Sequence, residues 1–503
     1  MSAEAAVQAF DGWGREARGS GRSWAPHRLP RSADLPAPGS EVHLMGAAGA
    51  GMRALAVLLA GAGYRVSGCD RSGGPVEEMT GTGGRLDDGH DATHAEGPAL
   101  LVRSSAVPED HPEVLAARRL GVPVWRRARA LAALVNDRTL AAVSGTHGKT
   151  TITAMTALAA EAAGLDPAAA VGGRLPTWGS HARSGGGRVA IVEADEFDRS
   201  FLELDPDLAV VSAVEEEHLE SYGSVEALEA AYRTFAGRAS SRLGVLWCAD
   251  EPGARALGAA LRGTASYGFA AGADYRVEPV GGEPEDGGAA PRRARLHAPE
   301  GEVPFRLGAP GAHNLQNAGA ALAAALRLGA DAADLEDALS EFTGVARRLQ
   351  RLAASDRVLV VDDYAHHPTE VAASLAAARH LAPGARLVAV FQPHLYTRTR
   401  RFAAEFAAAL AGGADLAFVL PVYGAREVPI EGVDASLVLR AASVAPVTDA
   451  APVEETSAEE VLDLVRAAAA GQSPRTLFLF MGAGDITELA HACAGAVSGR
   501  DVP

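Results

Sequence analysis

The chain contains a single lysine, and that lysine lies in a segment whose residue types suit phosphate binding. Lys149 is part of Gly145-Thr146-His147-Gly148-Lys149-Thr150-Thr151, and the other 45 of the 46 lysines and arginines are arginines. An ammonium is a compact point charge, whereas a guanidinium is a wide planar fork that would crowd a tight loop around a phosphate. Gly148-Lys149-Thr150 fits the end of the G-x-x-x-x-G-K-[ST] pattern, although Gly145 comes two residues later than its first glycine. The segment therefore predicts a phosphate-binding loop.

The chemistry expected of this loop requires a cation-binding site beside it. Backbone N–H groups and the helix N-terminus would face the phosphates, and the Thr150 hydroxyl would bind Mg²⁺. Glu193 ends the next buried strand, and carboxylate oxygens suit this hard cation. Asp195 and Glu196 follow it, so spacing alone leaves open which acid binds. His218 follows three glutamates at the end of a further strand, where it is either a site residue or a structural histidine.

A glycine turn near the start of the chain is a second candidate site. Gly46, Gly49 and Gly51 precede Met52 between a short strand and an apolar helix, but they do not match G-x-G-x-x-G. A nucleotide diphosphate could sit over the helix N-terminus, with Asp70 at the end of the next strand bonding a ribose or base. A later strand leads into Ser104-Ser105-Ala106. The alternative is a tight turn with no ligand.

Two polar segments follow strands in the last third of the chain. They are Asp362-Asp363-Tyr364-Ala365-His366-His367-Pro368 and the stretch from Gln392 to Arg400. Functional residues of α/β sheets lie at such strand ends. The two adjacent histidines suggest zinc, but neighbours rarely share one metal and no third ligand is evident. Arginines beside an aromatic ring suit carboxylate or phosphate binding. A solvated loop is the alternative.

The strands and helices that must position these residues alternate along the chain, which predicts parallel α/β units. Buried strands are predicted at 42–45, 140–143, 189–192, 208–214 and 358–361, with helices between them. We predict an α/β fold of three domains: Rossmann-like at 40–136, a P-loop ATPase domain at 137–344, and Rossmann-like at 345–503. Residues 1–39 are rich in Gly, Arg, Pro and Ser and predict a mobile tail.

Composition narrows the class of protein. The 503 residues are 48% hydrophobic and 22% charged, as in soluble globular proteins. The net charge of −17 argues against a nucleic-acid partner. Cys69, Cys248 and Cys493 are far apart, which predicts a reducing cytosolic setting with thiols used as small core residues. We find no signal-peptide pattern and no apolar stretch long enough to span a membrane.

The motifs together resemble the Mur ligases of peptidoglycan synthesis, over about residues 41 to 490 and in the family's order. The matching segments are the glycine turn at 46–53, Ser-Ser-Ala at 104–106, Gly-Thr-His-Gly-Lys-Thr-Thr at 145–151, Glu-Ala-Asp-Glu at 193–196, His-Asn-x-x-Asn at 313–317 and Asp-Asp-Tyr-x-His-His-Pro-Thr-Glu at 362–370. The alanine-adding branch is the most similar.

The resemblance implies a three-domain enzyme that uses ATP and Mg²⁺ to join L-alanine to UDP-N-acetylmuramate through an acyl phosphate. The resemblance implies that Mg²⁺ is bound by Thr150, Glu193 and His218, and that ATP is bound by residues 145–151 with His313, Asn314, Asn317, Arg348 and Asp363. It implies that the UDP-sugar is bound by the glycine turn, Asp70 and residues 104–106, and that the amino acid is bound by Tyr364, His366 and Arg398. The catalytic candidates that it implies are Lys149, Glu193, His218, His366 and Arg398.

The chain departs from the family pattern at a few positions. Glu217 and Glu220 stand where aspartates usually flank His-Leu, and Leu395 stands where arginine is frequent. Several related ligases place Mg²⁺ with a carbamylated lysine, which is impossible here because no lysine follows Lys149.

Competing functions remain open at this stage. They are a murein-tripeptide recycling ligase acting on the same sugar, an NAD(P)-dependent oxidoreductase and a P-loop switch that hydrolyses nucleotide to move a partner. We expect a cytoplasmic monomer or homodimer with neither a nucleic-acid nor a membrane partner.

Overall fold

The computed structural model describes residues 28–71, 77–81, 83–217, 219–239, 243–281, 292–425, 427–444, 453–471 and 474–499. Within these ranges the chain forms two compact units. The first covers 28–278, 296–303 and 317–338, and the second covers 279–295, 304–316 and 339–499. Three β-sheets of five, ten and six strands provide the framework of the described chain.

The first sheet is five-stranded and entirely parallel, with strand order β3-β2-β1-β4-β5. Its elements are β1 Glu41–Met45, α1 Ala50–Gly61, β2 Arg65–Asp70, α2 Glu77–Thr80, β3 Arg85–Asp88, β4 Leu100–Arg103, α3 Pro112–Arg119, β5 Val124–Arg126 and α4 Arg127–Val135. The central strand β1 is buried from Val42 to Met45. Its carboxyl end leads directly into the glycine turn.

The second sheet has ten strands, and its centre carries the lysine loop. The order is β15-β14-β13-β12-β11-β10-β6-β9-β7-β8. Its elements are β6 Thr139–Ser144, α5 Lys149–Ala162, β7 Ala168–Leu175, β8 Ser180–Ser184, β9 Val189–Glu193, β10 Leu208–Val211, α6 Leu219–Tyr222, α7 Val225–Ala236, β11 Gly244–Cys248, α8 Pro252–Ala260, β12 Thr264–Gly268, β13 Tyr275–Pro279, β14 Arg292–Ala298, β15 Gly301–Leu307 and α9 Ala312–Arg327. Strand β6 lies between β9 and β10, and both are parallel to it.

The third sheet has six strands in the order β16-β17-β21-β18-β19-β20. Its elements are β16 Gln350–Ala354, β17 Val358–Asp363, α10 Pro368–Leu381, β18 Arg386–Phe391, α11 Tyr396–Gly413, β19 Leu416–Val419, α12 Ala435–Val444, β20 Val453–Glu455, α13 Ala458–Ala469, β21 Thr476–Met481 and α14 Ile486–Ser498. Apolar side chains from both faces of β17, β18 and β21 form two separate cores, each covered by helices. This two-sided burial explains the continuous apolar runs of these strands.

The prediction of parallel α/β units is confirmed, although some strand pairs are antiparallel. Strand β7 pairs antiparallel with β8, and β16 pairs antiparallel with β17. Both of these pairs join neighbours in the chain through short connections, as only antiparallel pairs allow. The predicted strand 208–214 ends earlier, at Val211, because the chain there turns toward the lysine loop.

The predicted mobile tail is wrong for residues 28–39, whereas residues 1–27 lie outside the described range. Ser32–Asp34 forms a short 3₁₀ helix, and the Arg31 side chain donates to the Asn136 carbonyl and to Asp205. Asn136, buried, returns a hydrogen bond of 2.9 Å to the Pro30 carbonyl. The composition of this segment does not predict its order, because the order depends on contacts between Arg31 and the distant Asn136.

Two further expectations concern membranes and cysteines. Among the described helices, none is both long and apolar enough to cross a bilayer. Cys69, Cys248 and Cys493 are free and buried, in agreement with the prediction of core thiols.

Candidate active site

The lysine loop connects the carboxyl end of β6 to the start of α5. Gly145 has φ +133° and Gly148 has φ +80°, conformations that side chains with a Cβ rarely adopt. A Cβ on Gly145 would lie 2.1 Å from Ser212 Oγ, and one on Gly148 would lie 2.9 Å from Asn317 Oδ1. Both glycines are therefore required by conformation and by close packing. The backbone N–H groups at the start of α5 form the anion-binding end of a helix of 14 residues.

Lys149 is held inside this loop by one carboxylate and the loop backbone. Its Nζ donates to Glu196 Oε1 at 2.8 Å and to the Gly145 carbonyl at 2.7 Å. The side chains of Lys149 and Glu196 are only 15% and 2% exposed. Burial opposes the charged form, but the carboxylates of Glu196 and Asp195 outweigh it and raise the pKa of Lys149 above its ordinary value. The ammonium is consequently charged and fixed before any nucleotide binds.

The structure distinguishes the three acids that spacing alone left equivalent. Glu196 pairs with Lys149, and its own carbonyl accepts a 2.6 Å hydrogen bond from the Tyr222 hydroxyl. Asp195 stabilises the turn after β9 by accepting from the Phe197 N–H at 3.0 Å. Glu193 accepts from the Gly172 N–H at 2.8 Å and stands in register with Val143, just before the loop. Glu193 is partly exposed at the end of β9 and stays the predicted cation ligand.

The end of β10 supports the other side of the loop. Thr146 N–H donates to the Ala213 carbonyl at 2.9 Å, and the Thr146 hydroxyl accepts from the Glu215 N–H at 2.8 Å. Ser212 Oγ donates to the His147 carbonyl, and His147 Nε2 lies 3.3 Å from Glu215 Oε2. The predicted metal ligand His218 follows three residues after Glu215 and lies outside the described residues. Thr150 and Thr151, both buried, lie in the first turn of α5.

The predicted adenine-side residues lie at the beginning of α9. In the first unit, Asn317 lies beside Gly148, as described above. In the second unit, Asn314 donates from Nδ2 to the Pro310 carbonyl at 2.6 Å. Burial lowers the pKa of His313 to about 4, and the Arg292 and Arg348 guanidinium groups act in the same direction. His313 is therefore a neutral ring at physiological pH.

The glycine turn of the first sheet brings most of its predicted residues together. Gly46 and Ala47 donate to the Cys69 carbonyl at 2.9 and 3.1 Å, and Ala48 donates to Asp70 Oδ2 at 2.9 Å. A Cβ on Gly46 would lie 3.0 Å from Ser104 Cβ, so the turn and the Ser-Ser-Ala segment are adjacent. Ser105 and Ala106 are exposed beside it, with Ser104 Oγ accepting from Ala106.

Three further residues complete the account of this turn. Gly49 is the N-cap of α1, and Gly51 lies in its first turn. Met52 is only 2% exposed, so its side chain belongs to the core. The ligand contacts predicted for Gly49, Gly51 and Met52 stay predictions.

In the second unit, Asp363 is a buried carboxylate at the end of β17. It accepts hydrogen bonds from the Leu349 N–H at 2.6 Å, the Ala365 N–H at 2.8 Å and Ser374 Oγ at 3.0 Å. Burial nevertheless raises the pKa of Asp363 to about 6, against the opposing effect of the Arg348 guanidinium.

The predicted amino-acid-binding residues form one continuous aromatic cluster. The Tyr364 and His366 rings meet edge to face with centroids 5.2 Å apart, and His366 meets His394 at 5.9 Å. Arg398 NH1 lies 3.5 Å from His394 Nδ1, which joins it to the same cluster. Arg348 lies over the Tyr364 ring at 5.3 Å. The ends of β17 and β18 thus bring Tyr364, His366 and Arg398 together, as their place after parallel strands predicts.

Several residues contribute to these sites although the sequence motifs that contain them predict no role for them singly. Glu196 was part of the acidic motif, but only the distance to Lys149 gives it a role. His394 links His366 to Arg398, and Glu370 accepts from the His366 N–H at 3.1 Å. A glutamate three residues after His367 is a capping-box signal that the sequence did contain. Leu395, the departure from the family pattern, has φ +70° at the N-cap of α11.

The chain matches three consecutive family domains. Residues 41–139 match the Mur ligase family catalytic domain, 143–325 match the Mur ligase middle domain, and 347–484 match the glutamate ligase domain of Mur ligases. Similar curated proteins are named UDP-N-acetylmuramate--L-alanine ligase. The protein from Kineococcus radiotolerans is 45% identical over 464 residues, which is 89% of this chain and 94% of that protein. The one from Saccharopolyspora erythraea is 42% identical over 470 residues, or 92% and 94%.

Solved structures agree with the sequence relatives. The UDP-N-acetylmuramate-alanine ligase MurC of Thermotoga maritima is 25% identical, with a TM-score of 0.72 over 92% of this chain and 99% of that chain. A murein peptide ligase from Psychrobacter arcticus, 21% identical, shares the fold with a TM-score of 0.66 over 92% and 100%. The phosphate loop, the sheet order and these matches lead to one conclusion: the chain belongs to the Mur ligase family.

Proposed function

We propose that this chain catalyses the ATP-dependent ligation of L-alanine to the lactyl carboxylate of UDP-N-acetylmuramate, a step of peptidoglycan precursor synthesis. The relatives named for this reaction are 40–45% identical over about nine-tenths of the chain. The structural observation that most supports the proposal is that Lys149 is charged and is fixed in a glycine-containing loop at a helix N-terminus. ATP is the nucleotide that the family uses.

The proposed reaction has two steps. A lactyl carboxylate oxygen attacks the γ-phosphorus of ATP, the bond to the β–γ bridging oxygen breaks, and ADP leaves. The α-amine of L-alanine then attacks the acyl carbon of the acyl phosphate, which expels inorganic phosphate, loses a proton and leaves an amide. Phosphoryl transfer depends mainly on positioning and electrostatic stabilisation. The ammonium of Lys149 and the loop N–H groups supply both.

The contribution of Glu196 follows from its contact with Lys149. In the structure this carboxylate balances the ammonium inside a nearly closed loop. A bound triphosphate offers the same ammonium several anionic oxygens. Lys149 can therefore exchange the Glu196 carboxylate for a phosphate oxygen, and its buried charge has an anionic partner at every stage. Removing one partner from a buried ion pair costs about 3–5 kcal/mol. We therefore infer that Glu196 keeps the loop formed between turnovers.

Mg²⁺ is the cation that the proposal requires, and the oxygen donors present are suited to it. Glu193 is a partly exposed carboxylate beside the start of the loop, and Thr150 is a hydroxyl in the first turn of α5. Such oxygens match the preference of Mg²⁺ for carboxylates, hydroxyls and water beside nucleotide phosphates. When bound, this cation neutralises charge on the phosphate oxygens. His218 stays a predicted ligand.

The remaining roles are proposals that rest on the family pattern and on local geometry. His313, Asn314, Asn317, Arg348 and Asp363 are proposed to contact the nucleoside and phosphates of ATP. The Tyr364, His366 and Arg398 cluster is proposed to bind carboxylates, for which a buried guanidinium beside aromatic rings is suited. The glycine turn with Asp70 and residues 104–106 is proposed to bind the UDP-sugar. We also propose a cytoplasmic location and a monomeric or homodimeric state.

A murein-tripeptide recycling ligase is the second candidate, because a protein named as a murein peptide ligase shares the fold. The higher identity to alanine-adding ligases favours L-alanine. An oxidoreductase is disfavoured by the broken glycine fingerprint of the turn. A P-loop switch protein would hydrolyse its nucleotide in the absence of UDP-N-acetylmuramate and an amino acid, whereas a ligase needs both of these substrates.

The substrate is tested by ADP release with UDP-N-acetylmuramate and a panel of L-alanine, glycine, L-serine and the murein tripeptide. We expect L-alanine to give the highest kcat/KM, with glycine lower by roughly 10- to 200-fold, the usual worth of one methyl group in an apolar pocket. Preference for the tripeptide would establish the recycling reaction instead. Equal ADP release without any amino acid would indicate a hydrolase.

The role of Lys149 is tested by Lys149→Arg. The guanidinium retains the charge but cannot occupy the same small volume, so we expect kcat for ADP formation to fall by roughly 100- to 1,000-fold, as on loss of one transition-state donor. The matched control is Arg262→Lys, which makes the reverse exchange at an exposed position. Its rate should equal that of the parent. A Lys149→Arg protein with most of its activity would refute the assigned role.

The buried carboxyl of Asp363 predicts a pH dependence of stability. Its pKa is 3.8 in the unfolded chain and about 6 in the folded one, so the folded state holds the extra proton between these values. Unfolding free energy must therefore fall as pH rises through this window. Relative to Asp363→Asn, whose amide does not titrate, the parent should lose about 2 kcal/mol between pH 4.5 and 7.5. Urea unfolding of both proteins measures this difference, and a pH-independent difference would contradict the raised pKa.

A further inference from the structure

A buried group of potential metal ligands lies in the first sheet and includes none of the residues assigned to the reaction above. His43, Cys69, His94 and Glu113 each offer one donor atom, and these atoms lie within 4.8 Å of one another. His43, Cys69 and Glu113 are 0% exposed, and the His94 side chain is 13% exposed. Two imidazoles, a thiol and a carboxylate form a donor set typical of zinc.

The fold brings these four residues together from four separate elements. His43 in β1 stands opposite Ser67, and Met45 stands opposite Cys69 in the parallel neighbour β2, so His43 and Cys69 point to the same face of the sheet. Glu113 lies in the first turn of α3, and His94 lies in the short 3₁₀ helix Ala92–Ala95. Both helices cover that face. A bound ion would therefore fasten two covering elements to two strands.

The distances match the edges of a coordination tetrahedron. Zinc bonds of about 2.0–2.3 Å place tetrahedral ligand atoms roughly 3.3–3.8 Å apart. His43 Nε2 lies 3.4 Å from Cys69 Sγ and 3.1 Å from Glu113 Oε1. Cys69 Sγ lies 3.4 Å from Glu113 Oε1, and His94 Nδ1 lies 3.5 Å from the same oxygen. These four distances suit a single ion, and the remaining donor pairs lie within 4.8 Å of one another. His94 Nδ1 also accepts from the Asp91 N–H at 3.3 Å, a hydrogen bond that the ion would replace.

The hydrogen bonds around His43 indicate which of its ring nitrogens could bind a metal ion. Ser67 Oγ donates its one proton to Glu41 Oε1 at 2.8 Å, so toward His43 Nδ1, 3.0 Å away, it acts as the acceptor. Nδ1 therefore carries a hydrogen, as assigned from this network, and Nε2 faces the Glu113 carboxylate. A metal ion bound between Nε2 and the carboxylate would have a lone pair from each as a ligand. Such an outer hydrogen bond is the arrangement that orients histidine ligands of zinc.

We propose that His43, Cys69, His94 and Glu113 bind one structural Zn²⁺. A thiolate and a carboxylate neutralise the ion, which makes it compatible with a fully buried position. Four protein ligands leave no open position for substrate, as in structural rather than catalytic sites. His90 Nδ1 lies 3.0 Å from Cys69 Sγ and acts as an outer hydrogen-bond partner of the sulfur. Because Asp70 follows Cys69 and accepts from Ala48, the ion would stiffen the base of the glycine turn.

The first test measures metal binding by the full-length chain. The purified protein is stripped with a chelator, and Zn²⁺ or Co²⁺ is added back. We expect one equivalent of Zn²⁺ to be retained after desalting, and Co²⁺ to produce the absorption bands of a tetrahedral ion bound to a thiolate. Absence of stoichiometric Zn²⁺ in the parent protein would overturn the proposal.

Variants assign the binding to this cluster. Cys69→Ser should abolish the thiolate–Co²⁺ band, whereas Cys493→Ser, a change at another buried cysteine, should leave it intact. His94→Asn, at the most exposed of the four positions, should lose the retained Zn²⁺ even if Cys69→Ser fails to fold. Ser67→Ala should weaken Zn²⁺ binding by roughly 10- to 100-fold, the usual effect of losing an outer partner. Zn²⁺ retention that none of these changes alters would place the metal elsewhere and refute the assignment.

Discussion

The ion pair between Lys149 and Glu196 is the constraint around which the central part of this structure is organised. A buried ammonium must have partners, and here a carboxylate and two loop carbonyls supply them. The loop can close so tightly only because Gly145 and Gly148 adopt conformations with positive φ. The helix that follows then presents its N–H groups to the same space. The charge of Lys149, the backbone shape of the loop and the direction of the helix therefore all favour the binding of an anionic phosphate group at this end of the helix.

The sheet order explains why this arrangement holds. Strand β6 lies between β9 and β10, so the loop after it has the acidic turn on one side and the Ser212–Glu215 segment on the other. Glu193, Glu196 and Ser212 approach the lysine loop because parallel strands end at the same edge. The third sheet uses the same principle independently: β17 and β18 end at the cluster of Tyr364, His366, His394 and Arg398. The candidate functional residues therefore lie just after the carboxyl ends of parallel strands in these sheets.

The sequence predicts more about elements than about individual partners. Apolar runs and glycine turns are local signals, so the parallel sheets, the loop and the grouping of Tyr364, His366 and Arg398 follow from the chain itself. The choice among Glu193, Asp195 and Glu196 does not, because it depends on which carboxylate lies within about 3 Å of a lysine 44 to 47 residues earlier. The anchoring of residues 28–39 and the cluster of His43, Cys69, His94 and Glu113 are non-local for the same reason. Sequence spacing does not encode distances across a sheet.

The account depends most on the claim that a carboxylate, rather than water, takes the γ-phosphoryl group held by Lys149. The direct measurement uses UDP-N-acetylmuramate labelled with ¹⁸O in the lactyl carboxylate, together with ATP and L-alanine. An acyl phosphate keeps one carboxylate oxygen on phosphorus when the amine displaces it. The account therefore predicts inorganic phosphate that carries one ¹⁸O atom for each amide formed. Unlabelled phosphate formed together with the amide product would contradict it.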